Sequence, residues 1–213
     1  MPSRTGQQPP DPSLDYADFP AASLSAGTEV VRAHGLKSPW WFSSGGRFGL
    51  PKPAGTSYFG DDVAVCLRER LGVITKAAVI SPSVVANTRV SFLTMPRAWR
   101  CANLTDSSTA EYGVTNALAA EPPLLDEESG KETYQLGPSW AAILYAAGFQ
   151  GIRYLARFTP GPPNAWALFG KFGAKEQPPP SIHTISGAEA FAMIGKPVTA
   201  RRSSAHLDFV NPE

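Results

Sequence analysis

The stretch TSYFGDDVAVCLRERLG, residues 56–72, decides how the rest of the chain is read. Its first four residues, ending in Tyr58 and Phe59, are β-branched or aromatic in the main and predict a short strand. Asp61 stands where a helix needs an N-cap, and Gly72 stands where it must end. Between them Val63, Cys66, Leu67 and Leu71 recur at helical spacing, so a helix over about 62–71 buries that face. Glu69 lies off the stripe. It is either a surface glutamate paired with Arg68 or Arg70, or a group turned toward a site.

The same alternation of strand and helix continues outward. Val30 and Val31 open a strand that leads to Arg32. Residues 38–57 hold Pro39, Gly45, Gly46, Pro51, Pro53 and Gly55, a long loop that also carries Trp40, Trp41, Phe42 and Phe48. Long loops in compact domains tend to be functional, and so many aromatics predict either a hydrophobic plug or a stacking surface. Further strands are expected over 73–80, 90–95, 152–158 and 165–169. Helical pieces are expected within 104–118, a helix over 138–147 ended by Gly148, and a short helix over 185–194 starting near Ser186. The acidic run 121–132 reads as a solvated loop, and 174–181 is Pro-rich. The fold class is therefore α/β (α+β). Residues 1–27, rich in Pro, Ser, Ala and Gly, read as a flexible arm that Tyr16, Phe19 and Leu24 could pin. Residues 28–195 form the single domain, and 196–213 a loose tail.

Bulk properties narrow the function. A 213-residue chain with 43% hydrophobic residues can bury an ordinary core, and a net charge of +1 gives no field that favours nucleic acid or an anionic membrane. The only two cysteines, Cys66 and Cys101, are far apart and in no metal-ligand spacing; Cys66 reads as a buried small hydrophobe. No apolar run resembles a signal peptide or a spanning helix, so a cytoplasmic location is expected, or export without a cleavable signal. His34, His183 and His206 are scattered, which argues against a histidine triad or a metal site, and no metal is expected. P-loop, dinucleotide glycine fingerprint, zinc signature and nucleophile elbow are all missing.

What remains is a spacing: Arg47 in Gly-Gly-Arg-Phe, Tyr58 on the strand, Glu69 on the next helix. Glycines let backbone approach a ligand, arginine offers bidentate bonds to phosphate, and glutamate can stabilise developing positive charge. The run from Ala26 to His34, Gly46-Arg47-Phe48, residues 55–59 and the helix reaching Glu69 together resemble the opening of the RES family. Residues 104–106, 139–141, 148–154 and 167–170 continue the resemblance, which covers roughly 24–170.

The resemblance implies a bacterial toxin that cleaves NAD⁺ at the nicotinamide–ribose bond, by phosphorolysis or hydrolysis. It implies an ADP-ribosyltransferase-like domain with a split, largely antiparallel sheet. No cofactor is implied: NAD⁺ is the substrate, and inorganic phosphate a possible co-substrate. The implied partner is a helix-turn-helix (Xre-type) antitoxin that blocks the cleft, and a homo-oligomer is compatible with the aromatic loop. Glu69, Arg47 and Tyr58 would be catalytic; Arg32, with Arg47 and Tyr58, would bind NAD⁺. Arg32 could equally brace the loop. The family's serine falls where this chain has Ala156, so Ser139 or Gln135 would take over its contact, or the site is weakened. Two rival functions follow: a protein mono-ADP-ribosyltransferase sharing the cleft, and a catalytically dead NAD- or partner-binding module.

Overall fold

The structure is a computed structural model that describes residues 6–75, 79–125, 132–161, 164–174 and 182–196. In chain order it contains β1 (Ala21–Leu24), β2 (Glu29–His34), β3 (Trp41–Phe42), β4 (Ala54–Gly60), α1 (Val63–Leu71), α2 (Pro82–Ala86), β5 (Arg89–Thr94) and β6 (Trp99–Asn103). A 3-10 turn (Ser107–Tyr112) follows, then α3 (Asn116–Ala119), β7 (Leu124–Leu125), β8 (Glu132–Thr133), α4 (Leu136–Ala146) and β9 (Gly151–Leu155). The described chain ends with β10 (Asn164–Lys171), β11 (Gly173–Ala174), β12 (Ile182–Ser186) and α5 (Gly187–Met193).

Eight strands make one sheet in the order β1-β6-β9-β10-β4-β2-β5-β12. Every neighbouring pair is antiparallel except β6 with β9. The sheet has a weak seam. β10 and β4 pair along the whole of β4, whereas β4 and β2 share only the pair Val31–Gly60. The expected split is thus present as a single-pair joint in a continuous sheet.

Alternation along the strands sends side chains to two faces. On one face α4 covers β9 and β10 through Trp140, Leu144, Phe149, Ile152 and Tyr154. Beyond the seam on that face, α1 and α5 cover β2 and β5 through Val31, Leu67, Val90 and Phe191. The opposite face is closed by Val30, Trp40, Phe42, Phe59, Trp99 and Trp166. The aromatic loop is therefore a plug: Trp40, Phe42 and Phe48 are buried, and Trp41 is half-buried. Cys66 lies under α1 with its thiol donating to the Val31 carbonyl at 3.0 Å, and burial pushes its pKa up to about 12, so it stays an inert thiol.

Several expectations are corrected. The N-cap of α1 is Asp62, whose carboxylate accepts from the Val65 N–H at 2.8 Å. Asp61 instead reaches across to β10, accepting from the Asn164 backbone and the Trp166 indole. No strand forms over the described part of 73–80: after Gly72 ends α1 the chain runs irregularly, with Val73 and Val79 exposed. Residues 6–27 are not a loose arm. Tyr16 and Phe19 are buried in the same core as Trp140 and Phe149, Trp140 Nε1 donates to the Gln8 carbonyl at 3.0 Å, and β1 extends the sheet beside β6. The physical reason is coverage: without this segment the α4–β9 core would face water. At the other end, Lys196 N donates to the Phe191 carbonyl and closes α5; residues 1–5, 197–213 (with His206) and the Pro-rich run 175–181 lie outside the described residues.

Candidate functional site

The seam opens into a cleft of about 230 Å³ lined by Arg32, Gly46, Arg47, Tyr58, Glu69, Arg70, Tyr134 and Tyr154, among others. Each side of it is held by a specific local device. Gly46 adopts φ 95°, and a Cβ there would lie 2.6 Å from the Tyr58 hydroxyl, so only glycine lets the loop press onto Tyr58. The Tyr58 hydroxyl accepts the Phe48 N–H at 2.9 Å, which fixes the loop just after Arg47. On the other side, Gly137 at the start of α4 packs on the Arg47 carbonyl so closely that a Cβ would sit 2.0 Å from that oxygen.

Arg47 is buried, at 6% exposure, with its guanidinium 5.8 Å from the centre of the Tyr154 ring. Its Nη1 stands 4.0 Å from Glu69 Oε2, and its Nε is buried with no hydrogen-bond partner. Glu69 projects from α1 with 16% of its side chain exposed, and its Oε1 accepts the Phe158 N–H at 3.1 Å. Burial raises the pKa of both Tyr58 and Tyr154, so both phenols are neutral hydrogen-bonding groups. The arrangement can hold an anion beside Arg47 and present a carboxylate to a developing cation a few ångströms away.

The three residues singled out by spacing, Arg47, Tyr58 and Glu69, thus share one cleft. Arg32 lines it too, yet its Nη1 donates to the Pro39 carbonyl at 2.6 Å, the Trp41 carbonyl at 2.9 Å and the Ser57 hydroxyl. It therefore braces the aromatic loop. Burial, and secondarily the charge of Arg70, lower its pKa to about 10, which still leaves it charged at neutral pH. Ser139 and Gln135 do not line the cleft: the Ser139 hydroxyl donates to the Gln135 carbonyl at 3.0 Å within α4. The helix start is capped from a distance by Glu121, whose carboxylate accepts the N–H groups of Gln135, Leu136 and Gly137 at 2.9, 2.9 and 2.7 Å. Glu121 is buried, not a solvated loop residue.

Ala156 is buried and lines a different cavity, of about 180 Å³, beside Leu104, Leu118 and Arg157. It is not among the residues that line the Arg47–Glu69 cleft. His34 is structural as well: Nδ1 faces the carbonyls of Gly35 and Lys37, and Nε2 lies 2.8 Å from the Ser91 hydroxyl. Tyr134, Tyr154 and Arg70 were missed by sequence reasoning. Tyr154 carried a usable signal, since it alternates with Arg153 on a strand; Tyr134, in an irregular connection, carried none. Among the described residues no three His, Cys, Asp or Glu side chains group as metal ligands, and no helix is long and apolar enough to cross a membrane.

No curated protein matches the sequence. Among solved structures, the fold is similar to a chain of the M. tuberculosis MbcT-MbcA toxin-antitoxin complex, with TM-score 0.50 and 16% identity over 81% of this chain and 92% of that one. The RES domain family matches residues 29–186, a span that includes both walls of the cleft and the strands on each side of the seam, and the chain belongs to that family.

Proposed function

We propose that the protein is the toxin of a toxin–antitoxin pair and acts by cleaving NAD⁺ at the nicotinamide–ribose bond. The observation that carries the reading is the convergence of Arg47, Tyr58 and Glu69, from a loop, a strand and a helix, on one cleft within the family's matched span. Arg47 would hold the diphosphate, and Tyr58, a neutral phenol, would position the adjoining ribose. The bond from the ribose anomeric carbon to the pyridinium nitrogen breaks, and nicotinamide leaves neutral with the electron pair. The transition state has oxocarbenium character, which the Glu69 carboxylate stabilises. An oxygen of water or of inorganic phosphate forms the new bond. Where water attacks, its proton passes to Glu69 and then to solvent.

The dead-module alternative rested on Ala156, and that residue lies outside the cleft. The partner under this reading is an antitoxin protein, of helix-turn-helix (Xre) type by family resemblance, that closes the cleft from solvent. Purified protein incubated with NAD⁺, with and without phosphate, tests the activity by mass analysis of products. ADP-ribose-1″-phosphate marks phosphorolysis, free ADP-ribose hydrolysis, and added mass on a protein the transferase variant. No consumption by folded, partner-free protein would remove the proposal.

A further inference from the structure

Three guanidinium groups line the cleft, those of Arg32, Arg47 and Arg70, against one carboxylate, Glu69. Arg47 is the one set against that carboxylate, at 4.0 Å, the only ion pair among the described residues. Arg32 spends Nη1 on Pro39, Trp41 and Ser57. Arg70 makes no hydrogen bond and no ion pair among the described residues. It stands exposed at the rim with Nη2 beside Gly35, and its charge opposes that of Arg32. A cation in the last turn of α1 complements the helix dipole. That role requires neither a place on the cleft wall nor a second guanidinium in its field.

The usual seat for a phosphate, a helix N-terminus, is closed here: the one that abuts Arg47, at the start of α4, is filled by the Glu121 carboxylate. An anion entering the cleft must therefore be met by side chains. We propose that Arg70 is the phosphate-recruiting side chain of the cleft, supplying charge-assisted hydrogen bonds beside those of Arg47, while Arg32 is engaged with the aromatic loop. The inference rests on the NAD⁺ reading only for the choice of phosphate over other anions. Two sources share that chemistry, free orthophosphate as attacking group and the diphosphate of the dinucleotide.

Calorimetric titration of the full chain with orthophosphate, ADP-ribose and nicotinamide, in the native protein and in Arg70→Gln and Arg70→Lys, tests it. Arg70→Gln is expected to weaken a phosphate-bearing ligand about tenfold or more, in keeping with loss of a charge-assisted bond, with Arg70→Lys between the two and nicotinamide binding unmoved. Loss confined to orthophosphate assigns the attacking group; loss of ADP-ribose binding assigns the diphosphate. Native-like binding of both by Arg70→Gln, or binding of neither by the native protein, overturns the inference. Phosphate binding that depends on Arg70 in a protein that leaves NAD⁺ intact would keep the inference and remove only the proposed reaction.

Discussion

The backbone N–H of Phe158 donates to Oε1 of Glu69 at 3.1 Å, tying α1 to the segment that follows β9. One carboxylate oxygen is thereby fixed by the fold, and the other is left facing Arg47 at 4.0 Å. A surface glutamate would not be held in this way, and the division of labour between the two oxygens can be separated by substitution.

Glu69→Gln keeps an amide oxygen for Phe158 and removes only the charge. NAD⁺ cleavage is expected to fall by roughly a hundredfold or more while unfolding stability stays within about 0.5 kcal/mol of the native protein. Glu69→Ala also strands the Phe158 N–H and should cost about 1–3 kcal/mol in addition. A native rate in Glu69→Gln would remove the carboxylate from the reaction.

Tyr58→Phe deletes the acceptor for the Phe48 N–H, the bond that holds the loop carrying Arg47. A urea titration should show a loss of about 1–3 kcal/mol, and binding of ADP-ribose should weaken because Arg47 is no longer held against Gly137. Unchanged stability would mean that water replaces the phenol without cost.

At the start of α4, Glu121→Ala leaves three helix N–H groups without their carboxylate. A loss of about 1–2 kcal/mol is expected, with reduced activity through the shift of Gly137 against Arg47. Ser139→Ala, one turn into the same helix, should stay within about 0.5 kcal/mol and keep its activity. Loss of activity in Ser139→Ala with intact fold would return that hydroxyl to the site.

Burial lowers the pKa of His34 below its ordinary 6.5, with the charges of Arg32 and Arg70 adding to the effect. The folded protein thus binds the proton less readily than the unfolded chain. Stability is complete above pH 6.5, falls as pH drops toward the folded-state value, and levels off below it. His34→Asn should flatten this step in chemical denaturation between pH 7 and 5. An equal slope in both proteins would assign the step to other groups.

Phe19 is almost completely buried beside Tyr112 and Phe149. Phe19→Ala should therefore cost about 3–5 kcal/mol in equilibrium unfolding, a core-sized penalty for a residue in what composition alone reads as an arm. A change under about 0.5 kcal/mol would restore the loose-arm reading.

How much of this was legible beforehand follows the range of the forces involved. Local chemistry was readable in one dimension. The hydrophobic stripe of Val63, Cys66, Leu67 and Leu71 with Gly72 behind it placed α1, and the alternation around Tyr154 placed β9, because period and punctuation act between near neighbours in the chain. Arg47, Tyr58 and Glu69 could be picked out as a set because three successive elements carry them. The short strands β1 and β6 were not legible: their pairing with each other and with β9 gives them their conformation, and no local pattern encodes a partner dozens of residues away.

The sequence by itself determined the class of fold, the family and the residues that could carry a site. Only the tertiary structure decided which of those residues meet. It turned Arg32 into a brace, kept Ser139 and Gln135 off the cleft, sent Ala156 to another cavity, and brought in Tyr134 and Arg70. The reason is physical. A side chain's type and its place in the chain state what bonds it can make. Which bonds it does make depends on the acceptors and charges that folding brings within about 3 Å of it.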